Sequence, residues 1–465
     1  MTDLTCDVAV IGAGTAGLAA ERSARKAGAT TLLIDPAFNG TTCATVGCMP
    51  SKLLIAAART AHEARNAGAL GIRTQVDIDG PAVMRRLRDL RDDFVSATRA
   101  GIDRLPDGVR ITGRAHFTGP DRLALGDGRS IRAGAIVIAT GSSPMIPPPY
   151  RDLPHHLLTN ETIFELRDLP KSLAVVGAGP IGLELAQAMA RLGVRVALFD
   201  HSDRLGGVRC DDVHDALKRT LARDMDLHLG SDPAPSVQDG TLRIDWGTGA
   251  ETFDKVLVAT GRPPDIAGLN LAATGLALND RGMPDIDPES LQCGDAAIFV
   301  AGDANAVRPL LHEASDEGAT AGRNAVSYPA VSRPDREVPL AITFTDPPLV
   351  TVGAAPARSD AIGRADYTNQ GRARVENRNV GLARIYAAAP GGRLTGADLY
   401  CPGADHMGHL LALAIGRGLS ATDLLALPIY HPTLEEGLKP ALRDICKAVP
   451  LKIPADRDTR TPPGA

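Results

Sequence analysis

One plan occurs twice in this chain and restricts the folds open to it: an apolar strand, a glycine turn, a helical pattern and a second strand ending in an acid. The first copy is CDVAVIGAGTAGLAAERSARKAGATTLLID (6–35) and the second is LAVVGAGPIGLELAQAMARLGVRVALFD (173–200). Each sets G-x-G-x-x-G between strand and helix, at Gly12, Gly14 and Gly17 and at Gly177, Gly179 and Gly182. The first glycine permits the tight turn, the second lets a pyrophosphate approach the backbone, and the third lets helix and strand pack closely. The acids, Asp35 and Asp200, stand about 20 residues on, where a carboxylate can accept hydrogen bonds from a ribose 2′-hydroxyl. Each copy also closes alike, with IVIATGSSP (136–144) and VLVATGRPP (256–264) running a strand into Ala-Thr-Gly, which adds Thr140, Gly141 and Gly261 to the expected ligand contacts. A lone glycine turn means little, but two copies in the same full context point to two bound dinucleotides and to electron transfer between them.

A chain of 465 residues is too long for one core and should divide into three or four domains. With 44% hydrophobic residues it is globular. A formal charge of −5 with mixed signs argues against a nucleic-acid partner, which would need a basic face. No apolar run approaches the roughly 20 residues of a membrane helix. The run VAVIGAGTAGLAA (8–20) is no secretory signal core, since Asp3 and Asp7 stand where positive charge belongs. The expectation is a cytoplasmic protein. Of seven cysteines, Cys6, Cys210, Cys293, Cys401 and Cys446 are scattered singly, unlike a disulfide framework.

The other two stand together in TTCATVGCMPSK (41–52). Residues five apart in a regular helix have Cα atoms roughly 8–9 Å from each other, beyond the ~7 Å reach of a disulfide. Cys43 and Cys48 can therefore bond only across irregular backbone, which Gly47 and Pro50 mark. The following SKLLIAAARTAHEARN (51–66) reads as a helix. A cysteine at a helix N-terminus has its thiolate stabilised by the helix dipole, and Lys52 adds positive charge. A metal site would need further Cys or His ligands close by, and none are near. Two chance cysteines are the other possibility. Directly after the first dinucleotide unit, a redox pair is the better account.

At this point the chain resembles the flavin-dependent pyridine-nucleotide disulfide oxidoreductases over nearly its whole length. Their signature G-G-T-C-x-N-x-G-C-x-P-S-K is matched by GTTCATVGCMPSK, with Thr41 in place of a glycine and Thr45 in place of the asparagine. Further on, IFVAGDA (298–304) resembles the second flavin motif, whose aspartate, Asp303 here, meets the ribityl chain. LLHEASDEG (310–318) resembles the helix that follows, FTDPPLVTVG (344–353) the entry to a dimerisation domain, and HPTLEE (431–436) the C-terminal H-P-T-x-x-E.

The resemblance implies FAD and NAD as cofactors, Cys43 as the interchange thiol and Cys48 as the flavin-proximal thiol. It places Lys52 near flavin N5 and Glu184 as its ion-pair partner near the nicotinamide. It also implies a homodimer in which His431 serves the cysteine pair of the other subunit. Glu436, five positions on, is too far for a simple one-turn helical pair, so the carboxylate should fold back onto the imidazole at a loop–helix junction and leave the other ring nitrogen as a base. The pairs at His155–His156 and His406–His409 lack further ligands, so no metal is expected. The Pro-rich charged tail PADRDTRTPPGA (454–465) is expected to be disordered and holds no cysteine.

The expected class is α/β, with two Rossmann-like domains for FAD and NAD and a C-terminal α+β dimerisation domain. The boundaries are a flavin domain (1–144), a nicotinamide domain (145–264), a central segment completing the flavin domain (265–335) and an interface domain (336–465). The implied reaction is oxidation of a dihydrolipoyl dithiol, with electrons passing to Cys43–Cys48, to FAD and to NAD⁺, and the expected partner is a lipoyl-bearing carrier protein or a small disulfide substrate. The alternatives are an NADH-driven reductase of another small disulfide and a non-catalytic, redox-sensing flavoprotein.

Overall fold

The computed structural model describes residues 3–454, so all but the first residue of the tail lie outside the described residues. The chain forms two compact units. The first comprises residues 1–51, 85–145 and 261–336. The second comprises residues 52–84, 146–260 and 337–465.

The first unit is built on a seven-stranded sheet. Asp3–Ile11 lies between Thr31–Asp35 and Ser130–Ile138, parallel to both, and Arg110–Thr112 extends the row parallel to Thr31–Asp35. Ser130–Ile138 has two further neighbours along its other edge. Its first residues pair antiparallel with Arg122–Leu125, and its last residues pair parallel with Ile298–Val300. The segment after residue 261 thus re-enters this sheet. The strand begins six residues before the expected apolar run, because that antiparallel pairing extends it.

Strand Asp3–Ile11 is apolar on both faces because both are covered. Val8 and Val10 pack with Leu33, Val137 and Ala20, while Ala9 and Ile11 pack with Ile34, Ile138 and Phe117. Helix Leu311–Ser327 lies backbone to backbone on helix Thr15–Lys26. A Cβ on Gly318 or Gly322 would collide with the carbonyls of Ala16 or Ala20, which accounts for the glycine ending LLHEASDEG.

The second unit holds a parallel sheet in the order Asp226–Leu229, Arg195–Asp200, Ser172–Val176, Lys255–Val258, Leu157–Leu158. A three-stranded antiparallel sheet spans Ala234 to Phe253, and its Leu242, Ile244 and Phe253 pack with Val256 and Val258. The C-terminal layer is a five-stranded antiparallel sheet in the order Leu340–Thr343, Leu349–Gly353, Arg393–Tyr400, Leu382–Ala388, Ala361–Asp366. Helices Ala404–Gly416 and Lys439–Ala448 cover it, with Met407, Leu411, Leu442 and Ile445 fully buried. The fully buried Asp398 is satisfied by Tyr386 Oη at 2.8 Å and by Arg209 Nε at 3.0 Å, as a buried carboxylate requires.

Candidate active site and dinucleotide cradles

Both glycine turns have the geometry their spacing predicts. Gly12 and Gly177 adopt φ values of 104° and 109°, a region where a Cβ is strained. A Cβ there would also collide with the carbonyls of Ala139 and Ala259, the first residues of the two Ala-Thr-Gly closures. At Gly17 and Gly182 a Cβ would strike the carbonyl of the turn's own first glycine. Gly14 and Gly179 differ, for a Cβ on either meets no atom within 4 Å. These two are the N-cap residues of helices Thr15–Lys26 and Pro180–Arg191, and neither helix has a side-chain cap. Open space faces helix ends with unspent N–H donors, a fit for pyrophosphate. Thr140 Oγ1 is also buried with no hydrogen-bond partner among the described residues, a polar atom suited to a bound ligand.

The acids at the strand ends are tied to these turns. Asp35 accepts from Ala13 N at 3.0 Å and from Ala37 and Phe38 N at 2.9 and 2.7 Å. Asp200 accepts from Ala178 N and, at 2.8 Å, from Ser202 N. Each carboxylate has about four acceptor sites, so both keep capacity for a ribose hydroxyl while bracing the turn.

Around the cysteines the helix breaks where expected. Cys43 sits in a single turn, Thr42–Thr45, and Cys48 opens helix Cys48–Asn66. That helix starts three residues earlier than the pattern predicted, since Pro50 falls in the first turn, where a missing N–H costs no intrahelical bond. A Cβ on Gly47 would lie 2.8 Å from the Thr42 carbonyl oxygen and 3.2 Å from Cys43 Cα, so the absent side chain lets the chain fold back beside Cys43. The two departures from the family signature both work in this turn. Thr41 is the N-cap and accepts from Ala44 N at 3.4 Å, and Thr45 Oγ1 donates to the Thr41 carbonyl at 3.0 Å. Cys43 is partly buried and Cys48 exposed.

One turn beyond Cys48 on the same helix, Lys52 Nζ pairs with Glu184 Oε2 at 2.7 Å. The other oxygen, Glu184 Oε1, accepts from Phe344 N at 2.8 Å, and Lys52 Nζ stands 4.3 Å above the Phe344 ring centre. Phe344 thus completes a trio that no periodicity in the sequence points to. Gly261 and Gly141 take φ values of 139° and 74°. Asp303 lies in the turn Gly302–Asn305 and accepts from Ser142 Oγ at 2.8 Å.

His431 Nδ1 lies 2.9 Å from Glu436 Oε2. Pro432 follows a cis peptide and Glu436 sits in the 3-10 turn Glu435–Leu438, so the carboxylate folds back across the loop. Since the carboxylate only accepts, Nδ1 carries the proton and Nε2 is the basic nitrogen. The His431 side chain is 56% exposed, against 15% for Glu436, so the base is presented outward from a half-buried support. Among the described residues, no helix is long and apolar enough to cross a membrane.

Residues 6–318 match the family "Pyridine nucleotide-disulphide oxidoreductase", and residues 339–442 match its dimerisation domain, which supports a homodimer. The chain is 33% identical over 453 residues to a dihydrolipoyl dehydrogenase of Halobacterium salinarum, covering 93% of this chain and 94% of that one. It is 31% identical over 462 residues to a mercuric reductase of Acidithiobacillus ferrooxidans, covering 95% and 83%. In fold it is similar to the HOCl-induced flavoprotein disulfide reductase RclA of Escherichia coli, with a TM-score of 0.82 at 22% identity, covering 94% and 99%. FAD and NAD are its cofactors, and the chain belongs to the pyridine nucleotide-disulfide oxidoreductase family.

Proposed function

We propose that this protein is a cytoplasmic dihydrolipoyl dehydrogenase that oxidises the dithiol of a lipoyl-bearing carrier protein with NAD⁺. The observation that carries the reading is the His431–Glu436 pair, an imidazole held by a carboxylate with Nδ1 2.9 Å from Glu436 Oε2. A dihydrolipoyl thiolate attacks Cys43 of a Cys43–Cys48 disulfide and expels Cys48 as a thiolate. The second substrate thiolate then attacks the mixed disulfide, releases Cys43 and closes the lipoyl ring. His431 of the partner subunit takes one proton from each substrate thiol in turn, passing the first to water before it receives the second. A bound flavin would supply a two-electron acceptor for the cysteine pair and a hydride donor for NAD⁺. Lys52 and Glu184 hold the polar environment of that transfer, with Glu184 fixed by Lys52 and by Phe344 N. Gly12, Gly14, Gly17, Thr140, Gly141 and Asp303 line the flavin side, and Gly177, Gly179, Gly182 and Asp200 the nicotinamide side.

A second reading, NADH-driven reduction of another small disulfide, has support in the similarity to mercuric reductase. Steady-state turnover of dihydrolipoamide with NAD⁺, set beside NADH-driven reduction of lipoamide and other small disulfides, separates the two. The first reading expects lipoamide to be preferred in both directions. No turnover with any disulfide would leave a redox-sensing flavoprotein instead. Loss of His431 should lower dihydrolipoamide turnover by roughly 10²–10⁴-fold, the range of a general base. Mixed dimers of His431→Ala and Cys48→Ser subunits should regain activity through one complete site per dimer. Verified mixed dimers without any recovery would rule out a site shared across the interface.

A further inference from the structure

The two Ala-Thr-Gly closures are each followed by a polar residue, Ser142 after the first and Arg262 after the second. In the structure these two meet at Asp303. Arg262 Nε donates to Ser142 Oγ at 3.1 Å, and Arg262 Nη2 donates to the Ser142 carbonyl. Ser142 Oγ lies 2.8 Å from Asp303 Oδ2. The direction of this chain is forced by the groups themselves. A guanidinium only donates, so the serine oxygen is the acceptor towards Arg262 and its single proton goes to Asp303. Asp303 Oδ2 is thereby occupied, and no hydrogen bond to Oδ1 is found among the described residues. Behind the turn, the buried Glu317 accepts from Gly302 N at 2.8 Å and from Asn305 Nδ2 at 2.7 Å, and pairs with Arg336. The backbone of the turn is thus held from one side and the Asp303 carboxylate from the other.

We propose that Ser142, oriented by Arg262, is a positioning residue for FAD: it fixes the rotation of the Asp303 carboxylate so that Oδ1 is presented to a hydroxyl of the ribityl chain. The inference rests on the reading that Asp303 meets that chain. Retention of FAD then depends on an arginine that belongs to the closing motif of the nicotinamide unit. A carboxylate held at both ends loses less freedom when the ligand hydroxyl binds, so the hydroxyl of Ser142 contributes to affinity without touching the ligand.

The test is the FAD dissociation constant of the holoenzyme, measured by equilibrium dialysis with fluorescence of the released flavin. Ser142→Ala should raise it about tenfold, in the range of one hydrogen bond to a charged group. Ser142→Thr, which keeps the hydroxyl, should stay within about threefold of the wild type. Arg262→Gln should weaken binding alone but add little in the Ser142→Ala background, since both act through one serine proton. Asp303→Ala should weaken binding at least as much as Ser142→Ala. If Asp303→Ala loosens FAD and Ser142→Ala does not, the positioning role is overturned and the Asp303 contact stands. If neither loosens it, both fall. Equal loss in Ser142→Ala and Ser142→Thr would also overturn the proposal, because the hydroxyl would not be the cause.

Discussion

Lys52 Nζ stands 2.7 Å from Glu184 Oε2, joining the helix that Cys48 opens to the helix of the second glycine turn. The Glu184 side chain is 8% exposed and that of Lys52 33%. Removing Lys52 leaves a carboxylate in a poorly hydrated place, a cost that reaches about 3–5 kcal/mol for a fully buried pair. With a third of Lys52 in water, about 2 kcal/mol is the fitting expectation. Glu184→Gln keeps an acceptor for Phe344 N and should cost less than Lys52→Ala. Urea unfolding of the two single variants and the double variant should give a coupling of at least about 1 kcal/mol. Additive losses would mean that the ion pair holds nothing.

The cysteines should be distinguishable by spectrum. With Cys48 facing the flavin, Cys43→Ser should show a long-wavelength absorbance band in the oxidised holoenzyme, from a thiolate favoured at the N-terminus of helix Cys48–Asn66. Cys48→Ser should lack the band. Equal spectra for the two variants would reverse or void the assignment of roles.

Preference for NAD over NADP should follow from Asp200 and from the engagement of Arg204. Asp200 is braced by Ala178 and Ser202 N–H groups, and a 2′-phosphate would meet its negative charge. Arg204, the cation of HSDR (201–204) that could offset the repulsion, already donates to Asp211 at 2.7 Å and to the Val208 carbonyl at 3.2 Å. A like-charge penalty of about 2–3 kcal/mol corresponds to roughly 30–150-fold in affinity. The kcat/KM ratio should favour NAD by at least about tenfold, most of it in KM. Asp200→Ala should narrow the gap chiefly by improving NADP. A wild-type preference for NADP would falsify this placement of Asp200.

Acid should expose a second ion-pair network. Arg191 is 6% exposed and is held by Asp346 Oδ2 at 2.6 Å and Asp224 Oδ2 at 3.0 Å. Burial pushes the Asp346 carboxyl up, and Arg191, Arg378 and Arg59 outweigh it, so that it lies below the ordinary value of 3.8. The folded state therefore binds this proton less readily than the unfolded one. The stability it provides is present above about pH 3.8 and is lost as the pH falls below that value through the folded one. Asp346→Asn should cost about 2–3 kcal/mol at pH 7, short of a fully broken buried pair because Asp224 still compensates Arg191. The difference in urea midpoint between wild type and variant should shrink on going from pH 5 to pH 3. A gap that is constant with pH would show that the carboxyl is not coupled to these arginines.

The sequence by itself determined the features whose cause is local. Gly12 and Gly177 need a positive φ and a bare approach to a carbonyl, Gly47 needs room beside Cys43, and His431 and Glu436 are five residues apart. Such constraints act within a turn or between adjacent strands, so residue type and spacing record them directly. Tertiary structure alone decided the rest. Phe344 meets Glu184 across 160 positions, Ser142 meets Asp303 across 161, and Arg191 meets Asp346 across 155. Even the role of Thr41 and Thr45, legible only as departures from a signature, became a capped turn once the backbone was in place. Contacts of this range leave no period or motif in one sequence, because they are set by which strand edge and which helix face the packed core brings together, and side-chain chemistry at each end is compatible with many other partners.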